Sequence, residues 1–227
     1  MVHLQNVSKI FRTSRGLVKA LDEVDFHVEP GEFVVVRGPS GCGKSTLLLT
    51  IGAMQRPTKG AVQVAGAEIY AYSAPKRAEF RAQNIGFVFQ MFHLVPYLNI
   101  LENILLAAHR RNNQCRTDAR TLIDRLSLTE RLYHKPADLS AGERQRTAIA
   151  RALITRPRII LADEPTGNLD PDNAAEVMRH LAEFHHAGGT VIVVTHGSVA
   201  DQHADRIIHL RQGQISQVQD ALPVKKN

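Results

Sequence analysis

Gly38-Pro39-Ser40-Gly41-Cys42-Gly43-Lys44-Ser45 fits the pattern G-x-x-x-x-G-K-S/T, between a short apolar run, Phe33–Val36, and a helix-forming stretch from Lys44 to Met54. Few features restrict a fold more. A buried strand must feed a glycine-rich turn, and a helix must begin where the turn ends. Gly38, Ser40, Gly41, Cys42 and Gly43 can then curl their backbone N–H groups around phosphate oxygens, with the helix start adding a partial positive charge. Lys44 is expected to reach the β- and γ-phosphates of a nucleotide. Ser45 is expected to set its hydroxyl on Mg²⁺, and Thr46 to add a phosphate contact.

A second site lies far along the chain. Ile159–Ala162 is a buried strand that ends in Asp163-Glu164. Asp163 at the strand tip can hold Mg²⁺ through water, and Glu164 can orient or deprotonate an attacking water. Lys44 and Asp163 are 119 positions apart, which implies an insertion between the two halves of the site.

The insertion is patterned as helix. From Ile100 to about Thr155 the apolar residues follow a helical stripe, as at Ala119, Leu122, Ile123 and Leu126. Val2–Val7, Val24–Val28, Ala61–Ala65, Ile85–Phe89, Val191–Val194, Arg206–Leu210 and Gln214–Ser216 read as strands, and Ala174–Phe184 as a further helix ended by Gly188-Gly189. The expected organisation is one α/β nucleotide-binding unit. Residues 1–90 and 158–217 form its core, 91–157 a helical subdomain and 218–227 a tail.

Within the insertion, Leu-Ser-Ala-Gly-Glu-Arg-Gln-Arg at 139–146 places a Ser-x-Gly helix start just before the acidic strand. This suggests a second phosphate-contacting surface. A chain of 227 residues has little room to fold that surface back onto its own nucleotide, so the order hints at ATP shared between two copies.

Taken in order, the phosphate loop, Gln90 in Phe-Val-Phe-Gln, Leu139–Arg146, Asp163-Glu164, Asn168-Leu169-Asp170 and His196 resemble the ATP-binding subunit of an ABC transporter over residues 2–217. The resemblance implies an ABC ATPase fold: a RecA-like core, an antiparallel β-subdomain and an inserted α-helical subdomain. It implies ATP and Mg²⁺ as cofactors. It also gives Gln90 a contact with Mg²⁺ and a link to a membrane partner, and places His196 on the γ-phosphate. Ser140, Gly142 and Glu143 match the signature that meets the γ-phosphate across a dimer, and Asp170 matches the loop through which the two sites communicate. Phe11, 33 positions before Lys44, resembles the aromatic that stacks on adenine, where the family usually has tyrosine. Two positions depart from the family pattern. Ala141 replaces the second residue of the usual Ser-Gly-Gly, and Gly197 stands where aspartate often follows the histidine.

Ala162–Asp170 and Ser140–Arg146 are similar to the lipoprotein-releasing and macrolide-exporter branch. That similarity implies a second copy of the chain in an ATP sandwich and a permease with a four-helix transmembrane part. It places the chain as a peripheral protein on the cytoplasmic face of the inner membrane. The apolar stretch Gln90–Pro96 is the candidate groove for the permease's coupling helix. A regulatory ATPase that activates a cell-wall hydrolase remains an alternative.

Other features narrow the classes. No apolar run approaches the roughly 20 residues of a membrane span, and no leader is expected. The net charge of +6 is dispersed, with Lys225-Lys226 only a pair, so no nucleic-acid partner is expected. Only Cys42 and Cys115 occur, which suits a reducing compartment.

Overall fold

The protein is described from a computed structural model covering residues 1–14, 16–108 and 112–220. In chain order its elements are β1 (Val2–Thr13), β2 (Gly16–Val28), β3 (Phe33–Arg37), α1 (Lys44–Ile51), β4 (Lys59–Val64), β5 (Ala67–Glu68), α2 (Ala74–Asn84) and β6 (Ile85–Phe89). Then come α3 (Ile100–Leu105), α4 (Asn113–Arg125), α5 (Ala141–Leu153), β7 (Ile159–Asp163), α6 (Pro171–His186), β8 (Thr190–Thr195), β9 (Arg206–Arg211) and β10 (Gln214–Asp220).

Two sheets result. β2-β1-β4-β5 is antiparallel, and β10-β9-β3-β8-β7-β6 is parallel except for β10. The central strands explain their own sequence. Val34 and Val36 of β3 pack with Leu47, Leu48 and Ile51 of α1 and with the antiparallel sheet. Phe33 and Val35 pack on the other face with Ile149 and Ala150 of α5 and Val177 and Leu181 of α6. A strand covered on both faces needs apolar residues at every position, not alternation. Each fully buried Leu or Ile contributes about 1.5–3 kcal/mol.

Parallel pairing aligns the site. β3 matches β8 from Phe33–Val191 to Arg37–Thr195, and β7 matches β8 from Ile159–Thr190 to Asp163–Val194. The strand ends carrying the phosphate loop, Asp163 and Thr195 therefore lie side by side.

Several expected boundaries are corrected. β1 continues to Thr13, and β2 begins at Gly16, so a long hairpin replaces two short strands. Its outer arms are exposed and show no burial rhythm, and the register shifts between Leu4 and Val7 and again near Lys9. α1 stops at Ile51, where Gly52 caps it, short of Met54. The expected continuous helical pattern over 100–155 is broken into α3, α4 and α5, with tight turns at Thr129–Arg131 and Pro136–Asp138. α2 was not expected: none of its residues is fully buried, and Phe80 is the one large apolar side chain it packs on the core, so it has no apolar stripe to read. Residues 218–220, expected in the tail, pair with β9 as the end of β10. The rest of that tail, including Lys225-Lys226, lies outside the described residues.

Among the described residues, no helix is long and apolar enough to cross a membrane.

Candidate functional site

The phosphate loop has the geometry its glycines demand. Gly41 and Gly43 take φ of 77° and 111°. A Cβ on Gly43 would lie 2.2 Å from the Ala20 carbonyl oxygen, so a side chain there is excluded twice over. Gly38 is required for another reason: its Cβ would lie 2.2 Å from the Leu210 carbonyl oxygen of β9. α1 starts at Lys44 with no side-chain cap, which leaves its first N–H groups open to an anion.

The loop borders a cleft of about 590 Å³, lined by Ser40, Gly41, Gly43, Lys44, Ser45 and Thr46 together with Ala20, Gln90, Asp163, Glu164 and His196. Lys44 is buried, and its Nζ donates to the Gly38 and Pro39 carbonyl oxygens at 2.8 and 3.2 Å. Those contacts hold the ammonium where phosphate oxygens can replace them. Cys42 is buried beneath the loop and does not line the cleft.

The end of β7 supplies both acids of the cluster, and the end of β8 supplies their neighbours Thr195 and His196. Burial pushes the Asp163 carboxyl above its usual range, opposed by a hydrogen bond from the Ser45 hydroxyl. Glu164 follows with φ of 45°, in the left-handed region, and its N–H donates to the Val194 carbonyl at 2.9 Å. Its Oε2 accepts from the Thr195 hydroxyl at 3.0 Å and from the His196 N–H at 3.3 Å. The His196 Nδ1 lies 3.0 Å away from the same oxygen. Its Oε1 is 3.9 Å from Lys44 Nζ. The carboxylate thus lines the cleft between the Lys44 ammonium and the exposed imidazole. The Gly197 peptide is held from both sides. Its N–H donates to Thr195 Oγ1 at 3.0 Å, and its carbonyl accepts from Arg37 at 2.8 Å. The absence of an aspartate at this position leaves the loop anchored.

The Ser45 hydroxyl, the Asp163 carboxylate and the Gln90 amide converge on the cleft. This all-oxygen donor set with a single carboxylate suits Mg²⁺, which commonly takes one or two carboxylates and completes its shell with phosphate and water. No cluster of three His, Cys, Asp or Glu able to hold a metal exists among the described residues.

Other expected residues lie elsewhere. Phe11 does not line the cleft; it sits on the hairpin opposite Val18, with Lys9 Nζ 5.1 Å from its ring centroid. Ser140, Gly142, Glu143 and Asp170 also stand away from this chain's own phosphate loop. Ser140 caps α5: its Oγ accepts from the Glu143 N–H at 3.2 Å, and the Glu143 carboxylate accepts from the Ser140 N–H at 2.7 Å. Glu143 also pairs with Arg131 at 2.9 Å. Burial raises the Glu143 pKa, but the Ser140 and Arg131 hydrogen bonds outweigh it and the net shift is downward. Ala141 is the first helical residue of α5 and is not among the residues with positive φ, so its methyl costs nothing there. Gly142 has no such freedom: its Cβ would lie 1.9 Å from Asn173 Oδ1.

Asn173 and Arg151 were not expected from the sequence. Asn173 Nδ2 donates to the Asp170 carboxylate at 2.6 Å, while its Oδ1 abuts Gly142 and accepts from Arg146 at 3.3 Å. Arg151 of α5 donates to the Phe92 and His93 carbonyls at 2.7 and 2.5 Å, pinning the loop after Gln90. Neither carries a local motif: Arg151 reaches carbonyls 58 and 59 positions away, and Asn173 ties its own neighbour Asp170 to Arg146, 27 positions away.

Comparison with known proteins agrees with this geometry. The family described as ABC transporter matches residues 21–167. The chain is 40% identical to the lipoprotein-releasing system ATP-binding protein LolD of Shewanella sp. (strain MR-7), over 96% of each chain. It is 41% identical to the macrolide export ATP-binding/permease protein MacB of Chlorobaculum tepidum, over 94% of this chain but only 33% of that longer protein. Among solved structures, a dimeric ATP-binding cassette in a post-hydrolysis state with ADP and Pi superposes with a TM-score of 0.91. It is 37% identical and covers 98% of this chain and 99% of the other. With an ATP-type phosphate loop facing an acidic strand end, on a fold shared with these cassettes, the chain belongs to the ABC transporter family as an ATP-hydrolysing, ATP-binding subunit.

Proposed function

We propose that two copies of this chain close head to tail on two MgATP and so drive a membrane permease. The observation that carries the reading is the separation of two half-sites on one chain. Lys44, Asp163 and Glu164 line the cleft, whereas the capped Ser140 end of α5 does not. A second copy brings Ser140 and Gly142 to the γ-phosphate held by the first copy's Lys44. Asp170 then lies between the sites, and Phe11 offers its ring to adenine.

Hydrolysis follows from the acid cluster. Glu164 orients the attacking water and takes its proton. His196 and Thr195 hold that carboxylate in place and set its orientation. Lys44 and the loop N–H groups stabilise charge on the transferring phosphoryl group. Ser45, Asp163 and Gln90 would hold Mg²⁺, which supplies charge neutralisation when bound.

Residues 1–90 and 158–217 act as the core and 91–157 as the helical subdomain that the permease moves. The exposed Met91 and Tyr97 flank the loop that Arg151 pins. Arg151 also lines a cleft of about 360 Å³ with Phe87, Phe89 and Leu106. We assign this face to a coupling helix of a four-helix permease, with the chain peripheral on the cytoplasmic side of the membrane. Similarity to LolD and MacB supports release or export of a lipid, lipoprotein or peptide-like cargo.

The test is assembly. Glu164→Gln should trap an ATP-dependent dimer by size-exclusion chromatography, and co-expression with the neighbouring membrane protein should stimulate wild-type ATPase. A variant that binds ATP yet stays monomeric would remove the sandwich. Stimulation of a wall hydrolase without cargo release would shift the reading to regulation.

A further inference from the structure

Gln145 is fully buried in α5, five residues after Ser140. Its Nε2 donates to the Pro165 carbonyl oxygen at 2.7 Å, while its Oε1 has no hydrogen-bond partner among the described residues. An enclosed amide that pairs only one of its polar groups is a costly way to fill space, and an unbranched apolar side chain would fill it without an orphaned oxygen. The bond to Pro165 is what glutamine adds.

The place of that bond is informative. Pro165 is buried and directly follows Glu164, whose backbone holds a left-handed φ of 45°. The turn closes with the Gly167 N–H donating to the Glu164 carbonyl at 3.1 Å, and the Glu164 N–H is anchored to Val194. Gln145 is the contact that reaches this turn from α5. At 1.5 Å per residue, Ser140 and Pro165's partner lie about 7.5 Å apart along one rigid helix. A second strut runs parallel, from Arg146 through Asn173 to Asp170.

We propose that Gln145 is a positioning residue that couples the two ATP sites. It transmits the state of the partner's nucleotide, sensed at Ser140, to the Glu164 that acts on this chain's own nucleotide. The inference rests on the head-to-tail reading above.

The experiment uses the full chain with Gln145→Met, which keeps length and volume but loses the donor, and Gln145→Glu. ATPase rates are measured against ATP concentration. With two sites the Hill coefficient is bounded by about 2. Wild type should exceed 1. Gln145→Met should fall to about 1 with kcat down about tenfold and KM and Tm little changed, a split that loss of packing would not produce. In Gln145→Glu, burial raises the carboxyl pKa, and the protonated form can donate to Pro165. Cooperativity should therefore return as pH is lowered.

A folded Gln145→Met with wild-type kcat and Hill coefficient overturns the proposal, as does a pH-independent Gln145→Glu. If Gln145→Met fails to fold, the pH response of Gln145→Glu decides. Failure of the Glu164→Gln chain to dimerise on ATP would instead bring down the sandwich reading, and this inference with it.

Discussion

The Nδ1 of His196 lies 3.0 Å from Oε2 of Glu164, the oxygen that also takes the Thr195 hydroxyl. The imidazole is 69% exposed and the carboxylate 15%. One partner is therefore free to meet a ligand while the other is held. Removing the imidazole should leave the fold intact and the carboxylate loosely aimed. We predict that His196→Ala lowers kcat on the order of 10²-fold with little change in Tm, and that Glu164→Gln lowers it by about 10²–10⁴-fold. Steady-state ATPase assays and thermal unfolding check both. Wild-type turnover in Glu164→Gln would take the general-base role away from Glu164.

Lys44 is the second test of the cleft. Its ammonium rests on two loop carbonyls that cannot satisfy it as phosphate oxygens would. A hydrogen bond to a charged group contributes about 1.5–3 kcal/mol, so Lys44→Ala should weaken ATP binding by roughly tenfold to a hundredfold. Titration calorimetry measures it. Unchanged affinity would mean that the nucleotide's phosphates are bound elsewhere.

The adjacent positions 141 and 142 should respond in opposite ways. Ala141 opens a helix with ordinary backbone angles, so Ala141→Gly should cost at most about 0.5–1 kcal/mol and leave ATPase near wild type. Gly142→Ala drives a methyl into Asn173 Oδ1, which is held by Arg146 while its amide nitrogen holds Asp170. We expect about 1–3 kcal/mol of destabilisation and a loss of ATP-dependent dimerisation. Chemical denaturation and size-exclusion chromatography separate the two effects. Equal behaviour of the two variants would contradict the steric account.

What the sequence discloses follows from how local each requirement is. The phosphate loop and Asp163-Glu164 announce themselves because backbone geometry or charge at single positions is chemically demanding, whereas His196 is legible only from its place in the family's order of motifs. β3 and β8 are legible because burial on both faces leaves an unbroken apolar run. α2 is not, since none of its residues is fully buried and Phe80 alone of its large apolar side chains packs on the core, and the outer hairpin arms are not, since both are exposed. Asn173 and Gln145 escape for a different reason. A polar residue on a helix gives no sign of which partner 20 or 30 positions away it will meet, and only the placing of α5 against α6 and the turn after β7 supplies one.

His180 provides a test of the interior away from the nucleotide. It is buried on α6, its Nε2 has no hydrogen-bond partner among the described residues, and a carboxylate oxygen of Glu176 lies 3.8 Å from it. Burial, then the Arg179 charge, lowers its pKa below 6.5; burial, then His186 and His185, does the same for His203. The sign follows from proton linkage. A group with a depressed folded pKa binds fewer protons in the native than in the unfolded chain as pH falls through 6.5, so stability declines with acidification in that window and is flat above it. Wild type should lose Tm between about pH 7.5 and pH 5.5. His180→Leu removes the orphaned nitrogen and one of the two linked protons. It should therefore match or exceed wild-type Tm at neutral pH and lose less on acidification. Thermal unfolding at several pH values measures the slope, and a slope no shallower than wild type's would show that His180 is not a source of the acid sensitivity.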